Sequence, residues 1–194
     1  MSTLKVDTIL KRTGTGTITV GQSGDTISIP SGATLNSAGT NTLSGIANTP
    51  SFEAYRSSNQ TPSNNTLTKI QFNVEVYDSD SCYDNSTNYR FTPTTAGKYF
   101  VYASVRGDGE SQTDLEFIRL DIYKNGSTEK NTATEYGGTN DIDNASLTIT
   151  GVIDMNGSSD YLEVFTQLRS SSQPTINGSG NKETSFGAYK IIGA

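Results

Sequence analysis

The side chains that could do chemistry in this sequence are mainly carboxylates and tyrosines. The chain has no histidine and one cysteine, Cys82. It therefore lacks the groups for Ser-His-Asp or Cys-His catalysis, for an internal disulfide and for a zinc site. We interpret Cys82 as a partly buried, incidental thiol. The composition predicts a protein that is not an enzyme and uses no cofactor.

Carboxylates recur at short spacing in segments rich in Asp, Asn and Ser. They form three groups: Asp78, Asp80 and Asp84; Asp108 and Glu110; Asp141 and Asp143. An Asp-x-Asp loop could bind calcium through several oxygen ligands, but no group has the EF-hand spacing. Paired carboxylates could cleave glycosidic bonds within a cleft, yet nothing in the sequence marks one. We predict solvated acidic loops, with calcium binding as the alternative, and assign no catalytic or metal-ligating residue.

Tyrosines near these acidic groups could form a binding surface. Amphipathic Tyr side chains suit contacts with glycans and proteins, although Asn, Asp and Gly around them are equally typical of ordinary turns. The candidate ligand-binding residues are Tyr83, Asp84, Tyr136 and Asp141.

The charge and hydropathy of the chain exclude two kinds of partner. The formal net charge is -6 and the sequence pI is about 4.6. Nucleic-acid binding needs clustered basic side chains, so we predict no nucleic-acid partner. No apolar run is long enough for a signal peptide or a membrane span, so we expect no secretory leader and no membrane insertion.

The strand pattern is organised around residues 89–105. A short strand ends at Phe91, Pro93 and Gly97 punctuate a turn, and a long strand follows. Alternate residues from 99 to 105 are apolar, and so are Phe100 and Tyr102 between them. A strand that is apolar on both faces is typical of the centre of a sheet.

The rest of the chain from residue 51 also shows strand patterns. Alternating apolar residues predict strands at 52–55, 66–77, 115–124, 129–136, 145–155, 160–169 and 185–192. Asn125-Gly126 and Asn156-Gly157 predict tight turns. No segment has a 3.6-residue apolar period, so we predict an all-β sandwich with no long helix.

The first fifty residues differ from the remainder. All ten Tyr and all seven Phe lie from Phe52 onward, so residues 1–50 lack the side chains that dominate cores. Short strand patterns at 17–20 and 26–29 could bury their faces by docking or by intertwining identical copies. The alternative is a flexible Gly/Ser/Thr linker. We predict a β-rich N-terminal arm, residues 1–50, and a head domain, residues 51–194.

Motifs of the head resemble those of the globular head of complement component C-one-q. They are Tyr83-Asp84, Phe91-Thr92-Pro93, Ala96-Gly97-Lys98-Tyr99-Phe100, Tyr123-Lys124-Asn125-Gly126, Asp160-Tyr161-Leu162-Glu163-Val164 and Phe186-Gly187-Ala188-Tyr189. The resemblance implies the ten-strand antiparallel jelly-roll sandwich shared with the tumour necrosis factor superfamily. It also implies a homotrimer with aromatic and aliphatic side chains at its axis. The candidates for that interface are Tyr99, Val101, Tyr102, Phe186 and Tyr189.

The N-terminal segments 2–9 and 27–35 resemble the opening segments of bacteriophage tail-fibre-like proteins. This resemblance implies that the arm attaches the head to other virion proteins. The candidate anchoring residues are Leu4, Val6, Ile9 and Leu10.

Together the two resemblances predict a structural protein of a bacteriophage virion, made in the host bacterial cytoplasm. The favoured role is a trimeric tail or neck fibre whose head faces outward and binds a host-surface glycan or protein. Three identical chains would raise avidity without new contacts. The alternatives are a capsid head-decoration, or cement, protein that stabilises the capsid and, third, a free carbohydrate- or protein-binding module.

Overall fold

The computed structural model describes residues 19–34, 48–110, 114–136 and 142–192. By internal contacts the chain divides into two units, Met1–Thr42 and Leu43–Ala194. In the first unit, residues 19–34 form turns and extended backbone without a strand, and their side chains are exposed. The predicted strand at 26–29 is therefore wrong, since so short an apolar pattern cannot hold a strand without a paired neighbour. The predicted strand at 17–20 lies partly outside the described residues.

The second unit is all-β, and the part that the structure describes contains no helix. Its twelve strands are β1 Ser51–Tyr55, β2 Thr68–Lys69, β3 Val74–Asp78, β4 Tyr83–Asp84, β5 Arg90–Phe91, β6 Gly97–Asp108, β7 Leu115–Lys124, β8 Ser127–Glu135, β9 Asn144–Met155, β10 Leu162–Ser170, β11 Thr175–Ile176 and β12 Ser185–Lys190. The strands form two antiparallel sheets, which confirms the predicted jelly-roll sandwich. The count of twelve in the described residues exceeds the predicted ten by two, and four of the strands, β2, β4, β5 and β11, have only two residues each.

Sheet 1 is centred on β6. One edge of β6 pairs with β9 along its whole length, and the other edge pairs with β12 and then with β11. Beyond β12 the sheet continues through β1 to β3. The prediction that the strand following Gly97 is central is confirmed, because β6 is hydrogen-bonded on both sides.

Sheet 2 runs in the order β4-β5-β10-β7-β8, and β2 also pairs with β10. The β7–β8 hairpin turns at Asn125 and Gly126, whose φ values are 52° and 79°. Positive φ at both positions is the conformation of a two-residue hairpin turn, as the Asn-Gly dipeptide predicted.

The core lies between the sheets and is centred on Phe52 of β1. Its ring stacks on Tyr83 and Phe91 with centroid distances of 4.7 and 4.5 Å, and Phe186 meets it edge-on at 4.9 Å. These residues come from both sheets, so the ring cluster joins β1 and β12 to β4 and β5. Burial of each such side chain contributes about 1.5–3 kcal/mol to stability.

The predicted strand at 66–77 is wrong as one element. Its first part, β2, belongs to sheet 2 and its last part, β3, belongs to sheet 1. Between them the chain crosses the sandwich, and side chains satisfy its backbone: Gln60 bonds the backbone of Lys69 and Gln71, and Arg56 donates to the Gln71 carbonyl. The alternating pattern persists because Ile70 and Phe72 still bury their side chains.

The second Asn-Gly pair does not close a hairpin. Asn156 and Gly157 connect β9 of sheet 1 to β10 of sheet 2, so the flanking strands are not partners. The Asn156 side-chain oxygen accepts the backbone N–H groups of Ser158, Ser159 and Asp160. This makes a local Asx-type turn that needs no paired strand.

Candidate functional site

The outer face of sheet 1 carries aromatic side chains in register. Side chains alternate along β6, so Tyr99 and Val101 point into the core while Phe100 and Tyr102 point outward. Phe100 lies opposite Tyr189 of β12 on one side and Val152 of β9 on the other. The rings of Phe100 and Tyr189 are 5.4 Å apart. The sequence folds this way because both faces of β6 are apolar.

A glycine shapes the middle of this face. Gly187 lies between Tyr102 and Glu53 in the register, and a Cβ at position 187 would overlap the Tyr102 ring. The ring can therefore lie across the β12 backbone, and its hydroxyl donates to Glu53 Oε2 at 3.1 Å. Burial, followed by the nearby Glu53 carboxylate, raises the pKa of Tyr102 above its usual range.

The centre of the face is rich in aromatic and apolar side chains, with the Glu53 carboxylate bonded by Tyr102, and its two ends carry ion pairs. Val152, Tyr77 and Tyr189 are 51%, 45% and 37% exposed. At the ends, Lys98 pairs with Asp154, and Arg106 pairs with Asp108 and Glu183. An apolar centre rich in aromatic residues inside a charged rim is the composition of a protein–protein interface.

The structure separates the predicted trimer-interface residues into two sets. Tyr102 and Tyr189 lie on the outer face, and their role there stays a prediction. Tyr99, Val101 and Phe186 are 0% exposed within the sandwich of one chain, so assigning them to an interface is wrong. Alternation along a strand makes them core residues. Sequence reasoning missed Phe100, Tyr77 and Val152, although alternation already placed Phe100 beside Tyr102.

A second feature is an open pocket at the β4–β5 hairpin, with a volume of about 280 Å³. Residues 81–84 form one wall, and Asn88, Arg90 and Thr92 form the other. The backbone of Ser81 and Tyr89 is left-handed, with φ values of 53° and 50°. These two residues let the chain reverse on either side of the short β4 and β5 strands.

Asp84 holds the loop that closes this pocket. Its carboxylate accepts the backbone N–H groups of Ser86, Thr87 and Asn88, together with the Asn88 side-chain amide. These bonds, chiefly the one from Thr87, lower the pKa of Asp84 well below its usual range. Asp84, predicted as a ligand residue, therefore lines the pocket with both carboxylate oxygens already engaged by its own loop.

Arg90 lies directly opposite Asp84 in the β4–β5 pairing. No ion pair joins the two side chains in the described structure. Instead the guanidinium carbon lies 4.7 Å from the centre of the Tyr161 ring. The pocket thus has a cation on one wall and a hydrogen-bonded carboxylate on the other, an arrangement that no sequence motif signalled.

The other predicted ligand residues are not gathered at this pocket. Tyr83 is buried, stacks on Phe52 and donates its hydroxyl to the Phe72 carbonyl at 3.1 Å, so placing its ring on a ligand surface is wrong. Burial raises its pKa beyond the usual range. Tyr136 packs partly against the core beside Glu116. Tyr136 lies near one end of β10, and the pocket lies near Leu162 at the other end. The two ends are roughly 25 Å apart, at about 3.3 Å per residue.

Some predicted residues cannot be placed. Asp141, Leu4, Val6, Ile9 and Leu10 lie outside the described residues. Cys82 is a free thiol at the edge of the pocket and is buried more fully than the expected partly buried thiol, and burial raises its pKa. A raised pKa keeps the thiol protonated and weakly nucleophilic.

Two searches of the described residues returned nothing. No group of three or more His, Cys, Asp or Glu side chains there could hold a metal ion. No helix there is long and apolar enough to cross a membrane.

The strand pairings of the two sheets define a jelly roll of the tumour-necrosis-factor type. Two solved structures show the same fold. Murine APRIL at pH 8.5 is 13% identical with a TM-score of 0.50, covering 73% of this chain and 98% of that one. Eiger TNF from S. frugiperda is 13% identical with a TM-score of 0.51, covering 74% and 93%. No family model and no curated protein matches the chain.

Proposed function

We propose that this chain is a non-enzymatic structural protein of a bacteriophage particle. Its head forms a homotrimer, and residues 1–50 attach the trimer to other virion proteins. The head faces outward as a tail or neck fibre and binds the host surface. The observation that supports the homotrimer is the exposed aromatic surface on the outer face of sheet 1.

The composition of that face supports its burial between copies of the chain. Large exposed apolar side chains from three different strands, Tyr77, Val152 and Tyr189, lie around the half-buried Phe100 and Tyr102. Contiguous apolar surface of this kind is uncommon on monomers and marks an interaction site. The tumour-necrosis-factor type of jelly roll supports the same assignment, because the resemblance found in the sequence implies trimers.

The virion assignment is supported by the N-terminal segments. Their resemblance to phage tail-fibre openings makes the arm an attachment element, with Leu4, Val6, Ile9 and Leu10 as the candidate anchoring side chains. A head with three identical binding surfaces suits attachment to a repetitive cell surface, because avidity rises with the number of sites.

A capsid-decoration protein is the second candidate. The chain has only 194 residues, and the head takes up most of them, which suits a trimer bridging coat subunits as well as a short appendage. Cryo-electron reconstruction of the intact particle separates the two. Density on the tail or neck supports the fibre, and density on the capsid lattice supports decoration.

Mass spectrometry of purified particles tests the proposal itself. The chain is expected among the virion proteins, and its absence would overturn the assignment. In the same particles, replacing Leu4, Val6 and Ile9 together by Ser is expected to reduce incorporation several-fold. Normal incorporation of that variant would remove the anchoring role.

A further inference from the structure

Arg90 differs from every other described arginine. The guanidinium groups of Arg56, Arg106, Arg119 and Arg169 all donate hydrogen bonds to carbonyl or carboxylate oxygens. Within the described residues, Arg90 donates none; its guanidinium lies against the Tyr161 ring and borders the pocket. Five N–H donors in a rigid fork are thus held beside an open cavity.

The nearest candidate partner in the chain is already engaged. Asp84 faces Arg90 across the β4–β5 pairing, but its carboxylate is occupied by five hydrogen bonds from its own loop. The Tyr161 ring lies against the guanidinium, as aromatic faces do for arginine. The N–H donors of Arg90 are therefore available at the pocket, because Asp84 does not bond them.

The remaining lining combines polar residues with Cys82 and Tyr83. Ser81 and Thr92 contribute hydroxyl groups, and Asn88 contributes an amide. The volume of about 280 Å³ lies just under the range of small-molecule pockets, roughly 300–1,000 Å³. A single ring that bears hydroxyl groups and one acidic group matches both the size and the donors.

We propose that this pocket binds one carboxylate-bearing sugar unit, with the Arg90 fork on the carboxylate and Ser81, Asn88 and Thr92 around the hydroxyls. A planar carboxylate accepts two parallel N–H bonds from arginine. The hydroxyl and amide groups of the lining match the several hydroxyl groups of a saccharide better than an acidic peptide side chain, which bears none. This inference rests on the proposed host-binding function of the head for its biological role. The binding chemistry itself can be tested without that function.

The test is a titration of the full-length chain with glucuronate, followed by saturation-transfer NMR. Glucose, which lacks the carboxylate, and acetate, which lacks the ring, are titrated in parallel. Glucuronate is expected to bind saturably at millimolar concentration and at least several-fold more tightly than either. Arg90→Gln is expected to weaken binding at least about tenfold, because a hydrogen bond to a charged group contributes about 1.5–3 kcal/mol.

Arg169→Gln is the matched control. Arg169 also lies over an aromatic ring, Phe117, on the outer face of sheet 2, but at the other end of β10. Its loss removes the same charge and is expected to leave glucuronate affinity within twofold. Thr92→Val serves as the second pocket variant if Arg90→Gln does not fold, and it is expected to weaken binding several-fold.

Three results would overturn the inference: no saturable glucuronate binding, equal weakening by Arg169→Gln, or acetate binding as tightly as glucuronate. The last would make the pocket a general carboxylate site open to acidic peptides. Because the titration uses the purified chain, its failure leaves the virion assignment intact, and absence of the chain from particles leaves the titration intact.

Discussion

The outer faces of the two sheets both carry aromatic rings, but the two faces differ in how far cationic side chains cover those rings. On sheet 2, three cations lie over rings and two of them are paired: Lys69 covers Phe165 and bonds Glu163, while Arg169 covers Phe117 and bonds Glu116 and Glu135. On sheet 1, Tyr77, Val152 and Tyr189 stand exposed, and the ion pairs lie only at the ends of the face.

This difference indicates which of the two outer faces is suited to contact with water. Long Lys and Arg side chains cover apolar area with their stems while keeping their charges solvated. Sheet 2 uses them in this way and is complete in a single chain. On sheet 1 one cation, Lys182, lies over the Tyr55 ring, but no cation among the described residues lies over Phe100, Tyr77 or Tyr189. The proposed homotrimer would bury these rings.

The largest expected effect comes from placing a charge on sheet 1. Val152→Glu would put a carboxylate opposite Phe100, where an unpaired buried charge costs about 3–5 kcal/mol. We expect the assembly to dissociate, as measured by light scattering.

Ala133→Glu is the control for this change, since Ala133 is an exposed residue of β8 in sheet 2, where it pairs with Arg119 of β7. It is expected to leave the mass unchanged. If both variants dissociate equally, or neither does, the two faces do not differ as described.

Neighbouring residues of β6 separate folding from assembly. Tyr99→Ala removes a fully buried ring and is expected to lower the free energy of unfolding by about 3–5 kcal/mol. Tyr102→Ala is expected to weaken association while the fold of the single chain is retained. Chemical denaturation and light scattering measure the two effects, and equal loss of unfolding free energy with unchanged mass would contradict the assignment of Tyr102.

A smaller effect is expected from Gly187→Ala. The added methyl group would push the Tyr102 ring off β12 and break its hydrogen bond to Glu53. Overpacking of this kind costs about 1–3 kcal/mol. Denaturation should show the loss, and a crystal structure with an unmoved Tyr102 ring would contradict the reason given for it.

The smallest effect concerns the β4–β5 loop on sheet 2. The pKa of Asp84 is lower in the folded chain than its ordinary value of 3.8. The stabilisation is therefore present above about pH 4 and is lost as the pH falls through the folded-state pKa. Asp84→Ala should reduce stability near neutral pH, with a difference from the parent chain that shrinks below pH 4. A difference independent of pH would show that the carboxylate charge is not responsible.

The sequence predicts local elements of this fold well where one residue pattern decides them. The strand at 115–124 has the bounds of β7, and the turn at Asn125-Gly126 has the expected φ values. These succeed because alternation and positive φ are properties of neighbouring residues. The same local logic identified β6 as a central strand.

The failures concern information carried by distant residues. The segment 66–77 looks like one strand, because only pairing with β10 and then β1 shows that it changes sheets. The resemblance that implies an axial interface does not say which side of a strand apolar on both faces points to the core, so it wrongly places Tyr99 and Phe186 at the interface. Sequence reasoning missed Arg90, because only the structure shows that Asp84 bonds its own loop and leaves the Arg90 guanidinium without an ion pair among the described residues.

Native mass spectrometry of the full-length chain at micromolar concentration tests the central claim most directly. The uncovered aromatic face of sheet 1 predicts that copies of the chain associate, and the resemblance found in the sequence implies three copies of the 20.7 kDa chain. A stable species with the mass of one chain would contradict it, since the exposed face would then have no copy of the chain to cover it.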